Sequence, residues 1–211
     1  MKRSRWGTGP GLVGLIAGSG LLAVLFVAWW LPMRARERMA ANERAAAQAL
    51  KQLTVAEVDF RSNDRDGNRI NDFWVGDVSA LHTLADPAAP GNSIRLIPLE
   101  LARADGRPLA PVPGGPAAYS GYHFVVLRFH HEEGTGKMVP YGYDADGTGG
   151  PKVYNNSMFG FCAYPAEYGV TGRHTYIVNE GNTIFKFDMG GKPMLRWPYD
   201  EPLRMDYEKL D

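Results

Sequence analysis

The spacing of apolar and polar positions divides the chain into three regimes. From Trp6 to Met33 no side chain ionises, and Gly11 to Leu31 reads GLVGLIAGSGLLAVLFVAWWL. A helix rising about 1.5 Å per residue crosses a bilayer core with roughly 20 such residues. The run therefore predicts a membrane-spanning helix. Lys2, Arg3 and Arg5 precede it, Arg34, Arg36 and Arg38 follow it, and Trp6 and Trp29-Trp30 stand at its two ends, where amphipathic rings prefer the interfaces. A cleaved secretory signal has a shorter apolar region, about 7–15 residues, closed by a small-residue site. This run ends in Trp-Trp-Leu-Pro-Met-Arg, which predicts an uncleaved anchor over residues 1–33 and one domain over 34–211.

The second regime, Arg34 to about Asp59, is rich in Ala, Glu, Arg, Gln and Leu with no Gly or Pro, all good helix formers except for a few positions. Ala46, Ala49, Leu53, Ala56 and Phe60, with Leu50 beside them, recur at helical steps and predict one buried face. The simplest reading is one long helix, its first half in lipid and its second half in the domain. The third regime alternates faster. After the polar loop Arg61–Asp77, short helices are predicted at Val78–Leu84, with Asp77 as N-cap, and at Leu96–Ala104. Aromatic and β-branched runs at Tyr122–His130, Met158–Tyr164, Arg173–Asn179 and Thr183–Asp188 then have strand length. Glu180-Gly181-Asn182 marks a hairpin between the last two. The expected fold class is α+β, a long N-terminal helix packed on a roughly four-stranded antiparallel meander.

Charge and cysteine content narrow the partners. Twenty-three basic and 23 acidic residues cancel, so no global basic field points to nucleic acid. The single Cys162 forms no intramolecular disulfide, and its place between Phe161 and Ala163 reads as an inert small hydrophobe. Basic residues flank the apolar run almost equally, and the short N-terminal tail predicts that the large domain lies outside the cytoplasm.

Candidate chemistry concentrates in one loop. Asp64, Asp66, Asn68 and Asp72 are the candidate calcium ligands, crowded with Asn63, Asn71 and Asp77, because hard cations collect six to eight oxygens from carboxylates, amides and carbonyls. The stretch is not an EF-hand: with Gly67 at the glycine position, Ser62 takes the first ligand place and Phe73 that of the bidentate glutamate. The competing reading is a solvated turn whose Asp and Asn side chains cap their own backbone. Asp144-Ala145-Asp146-Gly147 is a second, weaker acidic turn. His130-His131-Glu132-Glu133 reads as a charged strand end, and His123 and His174 as cross-sheet neighbours. No Gly-x-Ser-x-Gly and no phosphate loop occurs, and no catalytic residue or cofactor is assigned. Gly14 and Gly18 form a small-xxx-small pair through which two spans would self-associate.

The order of elements, and the segment LLAVLFVAWWLPMRARERMAANERAAAQALKQL most closely, resembles the type IV pilin and pseudopilin architecture. Gly14-Leu15-Ile16-Ala17-Gly18 stands where pilin precursors carry a Gly-Phe-Thr-Leu-Ile-Glu type processing motif. Ala163-Tyr164-Pro165-Ala166-Glu167-Tyr168-Gly169, leading into Thr175-Tyr176-Ile177-Val178-Asn179-Glu180-Gly181, is similar to a bacterial envelope family of unknown function. Together the resemblances imply a single-pass, inner-membrane, pilin-like protein that works by protein interaction rather than catalysis. The alternative is a membrane-anchored module that binds an envelope ligand through exposed aromatics such as Tyr164, Tyr168 and Trp197.

Overall fold

The structure, a computed structural model, describes residues 11–143, 152–198 and 208–210, with the side chains of 11–28, 208 and 209 outside that description. Helix α1 (Gly11–Ser62) is 52 residues long and continues through Pro32. It is followed by β1 (Phe73–Trp74), α2 (Ala80–Thr83), β2 (Leu84–Ala85), β3 (Ser93–Ile94), α3 (Leu99–Ala102), β4 (Tyr122–Val126), β5 (Phe129–His131) and β6 (Met138–Pro140). The chain closes with β7 (Tyr154–Asn155), β8 (Gly160–Pro165), β9 (Thr175–Asn179), β10 (Ile184–Phe187) and β11 (Glu208–Leu210). Two compact units are distinguished, Met1–Arg38 and Met39–Asp211.

The stripe expected on the second half of α1 is the stripe that is buried: Ala46, Ala49, Leu50, Leu53, Ala56 and Phe60 are all inaccessible to solvent. Burying each of Leu50, Leu53 and Phe60 contributes roughly 1.5–3 kcal/mol. The exposed Val55 and Val58 mark the opposite face. Among the described residues no helix is long and apolar enough to cross a membrane. The run Gly11–Ala28 keeps a helical backbone, while its side chains, and the surroundings of Gly14 and Gly18, lie outside the described residues.

The main sheet runs β11-β10-β9-β8-β4 with every pair antiparallel. Val125, Cys162 and Ile177 stand in register across three strands, and Phe185 continues the row on the fourth. The inward residues of these strands and the buried stripe of α1 form one core cluster. The turn Asn179–Asn182 closes the β9–β10 hairpin through the Asn182 N–H to the Asn179 carbonyl at 2.9 Å. Asn182 takes a positive φ of 53° there, which asparagine tolerates.

Three expectations are corrected in detail. The meander has a fifth strand, because Glu208–Leu210 pairs with Ile184–Lys186; a charged dipeptide carries no strand-like apolar period. The strand expected over Tyr122–His130 divides after Val126, and Phe129–His131 pairs instead with Met138–Pro140. Both short helices shrink to one turn, and Leu84–Ala85 leaves the first to pair with Ser93–Ile94.

Candidate functional site

The loop that follows α1 is built by backbone requirements first. The helix ends when the Arg65 N–H reaches back to the Phe60 carbonyl at 3.2 Å. Arg65 also clasps the Asp59 carboxylate through two nitrogens, at 2.6 and 3.2 Å. Asp64 has a φ of 46° and accepts the Arg69 N–H with both oxygens at 3.1 Å. Gly67 sits at φ 72°, and a Cβ there would lie 2.7 Å from the Pro87 Cβ, so the position needs glycine both for its conformation and for space.

Within this frame the four candidate ligands separate into two kinds. Asp64 is spent on the backbone. Asn68 accepts the Ile70 N–H at 2.6 Å and donates to the Asp72 Oδ2 at 3.1 Å. Asp66 accepts a long contact from the Asn68 N–H, 3.4 Å, on Oδ1, beside a hydrogen bond from Tyr154. The second oxygen of Asp66, Oδ2, is buried without a hydrogen-bond partner, and so is Oδ1 of Asp72. The turn reading therefore describes Asp64, Asn68 and the Oδ1 of Asp66, while Asp72 Oδ1 is left buried without a partner.

A fifth residue belongs to the group and escaped the sequence reading. Glu57, on the buried stripe of α1 between Leu53 and Phe60, is wholly inaccessible, and its Oε1 also has no partner. Its other oxygen accepts the Trp74 N–H at 2.9 Å. The signal was present: Glu57 stands four residues after Leu53 and three before Phe60, on the same helical face. Trp74 is itself fixed over the site, its ring 6.3 Å from Phe60 and 5.6 Å from Tyr154.

Electrostatics follow from this geometry. Burial pushes the Glu57 carboxyl well above its ordinary value against the pull of the Trp74 N–H, and the Asp72 charge pushes it further. Burial raises Asp72 to about 6, opposed by Asn68 and assisted by the charges of Asp66 and Asp64. Asp66 is raised as well, chiefly by burial, with hydrogen bonds from Asn68 and Tyr154 opposing. None of the three ion pairs of the described residues, Arg65–Asp59, Arg173–Asp188 and His174–Glu43, reaches the group. Among the described residues no three His, Cys, Asp or Glu side chains converge as a preformed metal centre.

The neighbouring acidic pair shows what satisfied burial looks like. Asp105 accepts the Val78 and Ser79 N–H groups at 2.8 Å and the Arg107 N–H at 2.7 Å. Asp77 accepts the Ala80 and Leu109 N–H groups and the Ser79 hydroxyl. The N-cap position of α2 falls on Ser79 rather than on the expected Asp77, although the Asp77 carboxylate still accepts the Ala80 N–H at 3.1 Å.

The other singled-out residues are dispersed. His123 stands opposite Tyr164 in the β4–β8 register, whereas His174 bonds Glu43 at 3.1 Å beside β9; β8 separates the two histidines, which corrects the cross-sheet pairing. His130 and His131 lie in β5, and His131 Nδ1 is 3.0 Å from the Gly136 carbonyl. The acidic turn at Asp144–Gly147 lies outside the described residues. Tyr164 is half-buried against His123, Trp197 is half-buried against Phe185, and Tyr168 alone of the three is exposed, its hydroxyl donating to Asp188 at 2.9 Å. A cleft of about 290 Å³ opens elsewhere, lined by Val75, Leu109, Arg128, Phe129 and Lys152 among others. Cys162 is fully buried and free.

A long helix whose C-terminal half is part of the core of a five-stranded antiparallel meander, followed by an acidic loop, defines an α+β domain. The family model described as protein of unknown function (DUF2950) matches residues 32–196, and the chain belongs to that family. The match takes in the docked half of α1, the acidic loop and the Tyr164–Gly169 turn. No curated protein and no solved structure matches the chain.

Proposed function

We propose that the protein is a single-pass component of the bacterial inner membrane. Its large domain, outside the cytoplasm, acts in envelope structure or assembly by protein interaction and without catalysis, in the manner of a pilin-like subunit. The observation that carries this reading is the composition of α1. The uncharged run Gly11–Ala28 continues into Trp29, Trp30, Leu31 and Met33, which present large apolar side chains to solvent, Trp29 at 64% exposure. Water penalises such a patch, and a lipid interface favours it. Arg34 stacks over the Trp30 ring at 4.8 Å, pairing a cation with an aromatic ring where the chain would leave the bilayer.

The anchor also explains how one helix serves two solvents, its docked half being apolar on one face only. The second reading is a membrane-anchored binding module. The observation favouring it is the cleft, where Leu109 and Phe129 are exposed at 59% and 39% beside Arg128 and Lys152; of the three aromatics first considered, Tyr168 alone is exposed. Alkaline carbonate extraction with proteinase K treatment of spheroplasts tests the principal reading. The protein should stay with the membrane pellet and be digested from outside; release by carbonate, or protection in intact spheroplasts, would overturn it.

A further inference from the structure

Taking the cleft as the binding site of the second reading, we propose that it holds a small organic acid, the hydrocarbon part inside and the anionic group against Arg128 and Lys152. Of the lining residues, Val75, Leu127 and Val153 are buried, whereas Leu109 and Phe129 present large apolar side chains to solvent. The backbone around them is already paired. The Val75 N–H donates to the Val153 carbonyl at 2.7 Å, the Leu127 N–H to the Gly160 carbonyl at 2.8 Å and the Arg128 N–H to the Leu195 carbonyl at 2.7 Å. The Leu109 N–H donates to Asp77 Oδ2 at 2.7 Å. These bonds fix the walls without a ligand and consume four backbone donors, so the lining presents mainly hydrocarbon.

Size and charge select the ligand. The volume of about 290 Å³ equals roughly ten liquid-water volumes and lies at the lower end of small-molecule pockets. It takes one ring or a short acyl chain, whereas a stable protein interface needs roughly 800 Å² from each partner. Arg128 and Lys152 are the two ionisable residues of the lining. Both are exposed, and neither joins an ion pair among the described residues. Asp77, which follows Gly76 in the chain, spends its carboxylate on the Ala80 and Leu109 N–H groups and the Ser79 hydroxyl. A cationic ligand would therefore meet two like charges, and an inorganic anion would leave the apolar walls uncovered. An organic acid uses both, its carboxylate matching the planar fork of the guanidinium while its hydrocarbon part covers Leu109 and Phe129.

The probe is phenylbutyrate, with phenylbutanol as its uncharged counterpart. Saturation-transfer NMR on the full-length protein in uncharged, perdeuterated detergent micelles, read against protein-free micelles, should show saturable binding of the acid and weaker binding of the alcohol. Arg128→Gln combined with Lys152→Gln should weaken the acid roughly threefold to tenfold, as expected for two exposed ion pairs, and leave the alcohol unchanged. Leu109→Gln should weaken both compounds. Lys51→Gln, on α1 and outside the lining, should change neither. All four positions are exposed, so the variants should keep the wild-type melting temperature. Equal affinity for acid and alcohol, or unchanged affinity for the acid in the doubly substituted protein, would overturn the acid while leaving the cleft a site for uncharged ligands. Absence of saturable binding of either compound would overturn the acid and the binding-module reading together. A dimer in sedimentation that Leu109→Gln dissolves would assign the cleft to a second copy of the chain and equally overturn the proposal.

Discussion

Leu53→Ala tests whether the second half of α1 is a structural part of the domain. Leu53 is fully buried on the stripe between Leu50 and Phe60 and belongs to the same core cluster as Phe124, Phe161 and Ile177. Removing three carbons costs their transfer free energy plus the cavity left behind, about 3 kcal/mol for a side chain so enclosed. In a domain of this size, 1 kcal/mol lowers the melting temperature by roughly 2–4 °C, so the variant should melt roughly 6–12 °C lower. Val55→Ala, two residues away but 67% exposed, should change stability by less than about 0.5 kcal/mol. The assay is guanidinium unfolding of the full-length chain in detergent, followed by tryptophan fluorescence, to which Trp74 beside Phe60 contributes. Equal effects of the two substitutions, or a loss below about 1 kcal/mol for Leu53→Ala, would refute the docking of α1.

Further outcomes follow from particular contacts. A Cβ at Gly172 would collide with the hydroxyl of buried Tyr122, which donates to the His174 carbonyl at 3.0 Å. Gly172→Ala should therefore destabilise by about 1–3 kcal/mol; Tyr122→Phe should cost about 1 kcal/mol, and calorimetry of the double variant should show less than the sum. Burial pushes the Glu43 carboxyl up, but the N–H groups of Arg173 and His174 and the His174 charge hold it below its ordinary 4.5. The folded protein thus resists a proton that the unfolded chain accepts. This stabilisation is present above pH 4.5 and fades as the pH falls through the lower folded value, so chemical denaturation at stepped pH should show a shallower acid decline for Glu43→Gln. Burial raises the Cys162 thiol to about 12, and a thiol reagent at pH 8 should label it only at the rate of global unfolding; rapid labelling of the native protein would place the strand at the surface.

Much of the fold was legible because the signals were local and periodic. The α1 stripe and four of the five meander strands each announce themselves within a dozen residues, and Gly181-Asn182 fixes the hairpin between two of them. The β11 strand was not legible, since the sequence Glu208-Lys209-Leu210 carries no strand-like apolar alternation. Nor was the division of Tyr122–His130, which is decided by the Arg128 N–H bonding the distant Leu195 carbonyl at 2.7 Å. In the acidic loop, sequence located the carboxylates but not their partners. Asp64 and Asp66 look alike in the string, yet one is consumed by the Arg69 N–H and the other keeps an orphan oxygen. Glu57 was hidden for the opposite reason: a charged residue inside an apolar stripe reads as an interruption, whereas the fold buries it against Trp74.

The most direct test of the account is the intact mass of the native protein extracted from membranes. The full-length mass, retained through carbonate washing, is the predicted result and would establish a permanent anchor continuous with the docked helix. A mass lacking everything through the Trp29-Trp30 region, with the protein recovered in the soluble fraction, would show a cleaved leader and contradict it.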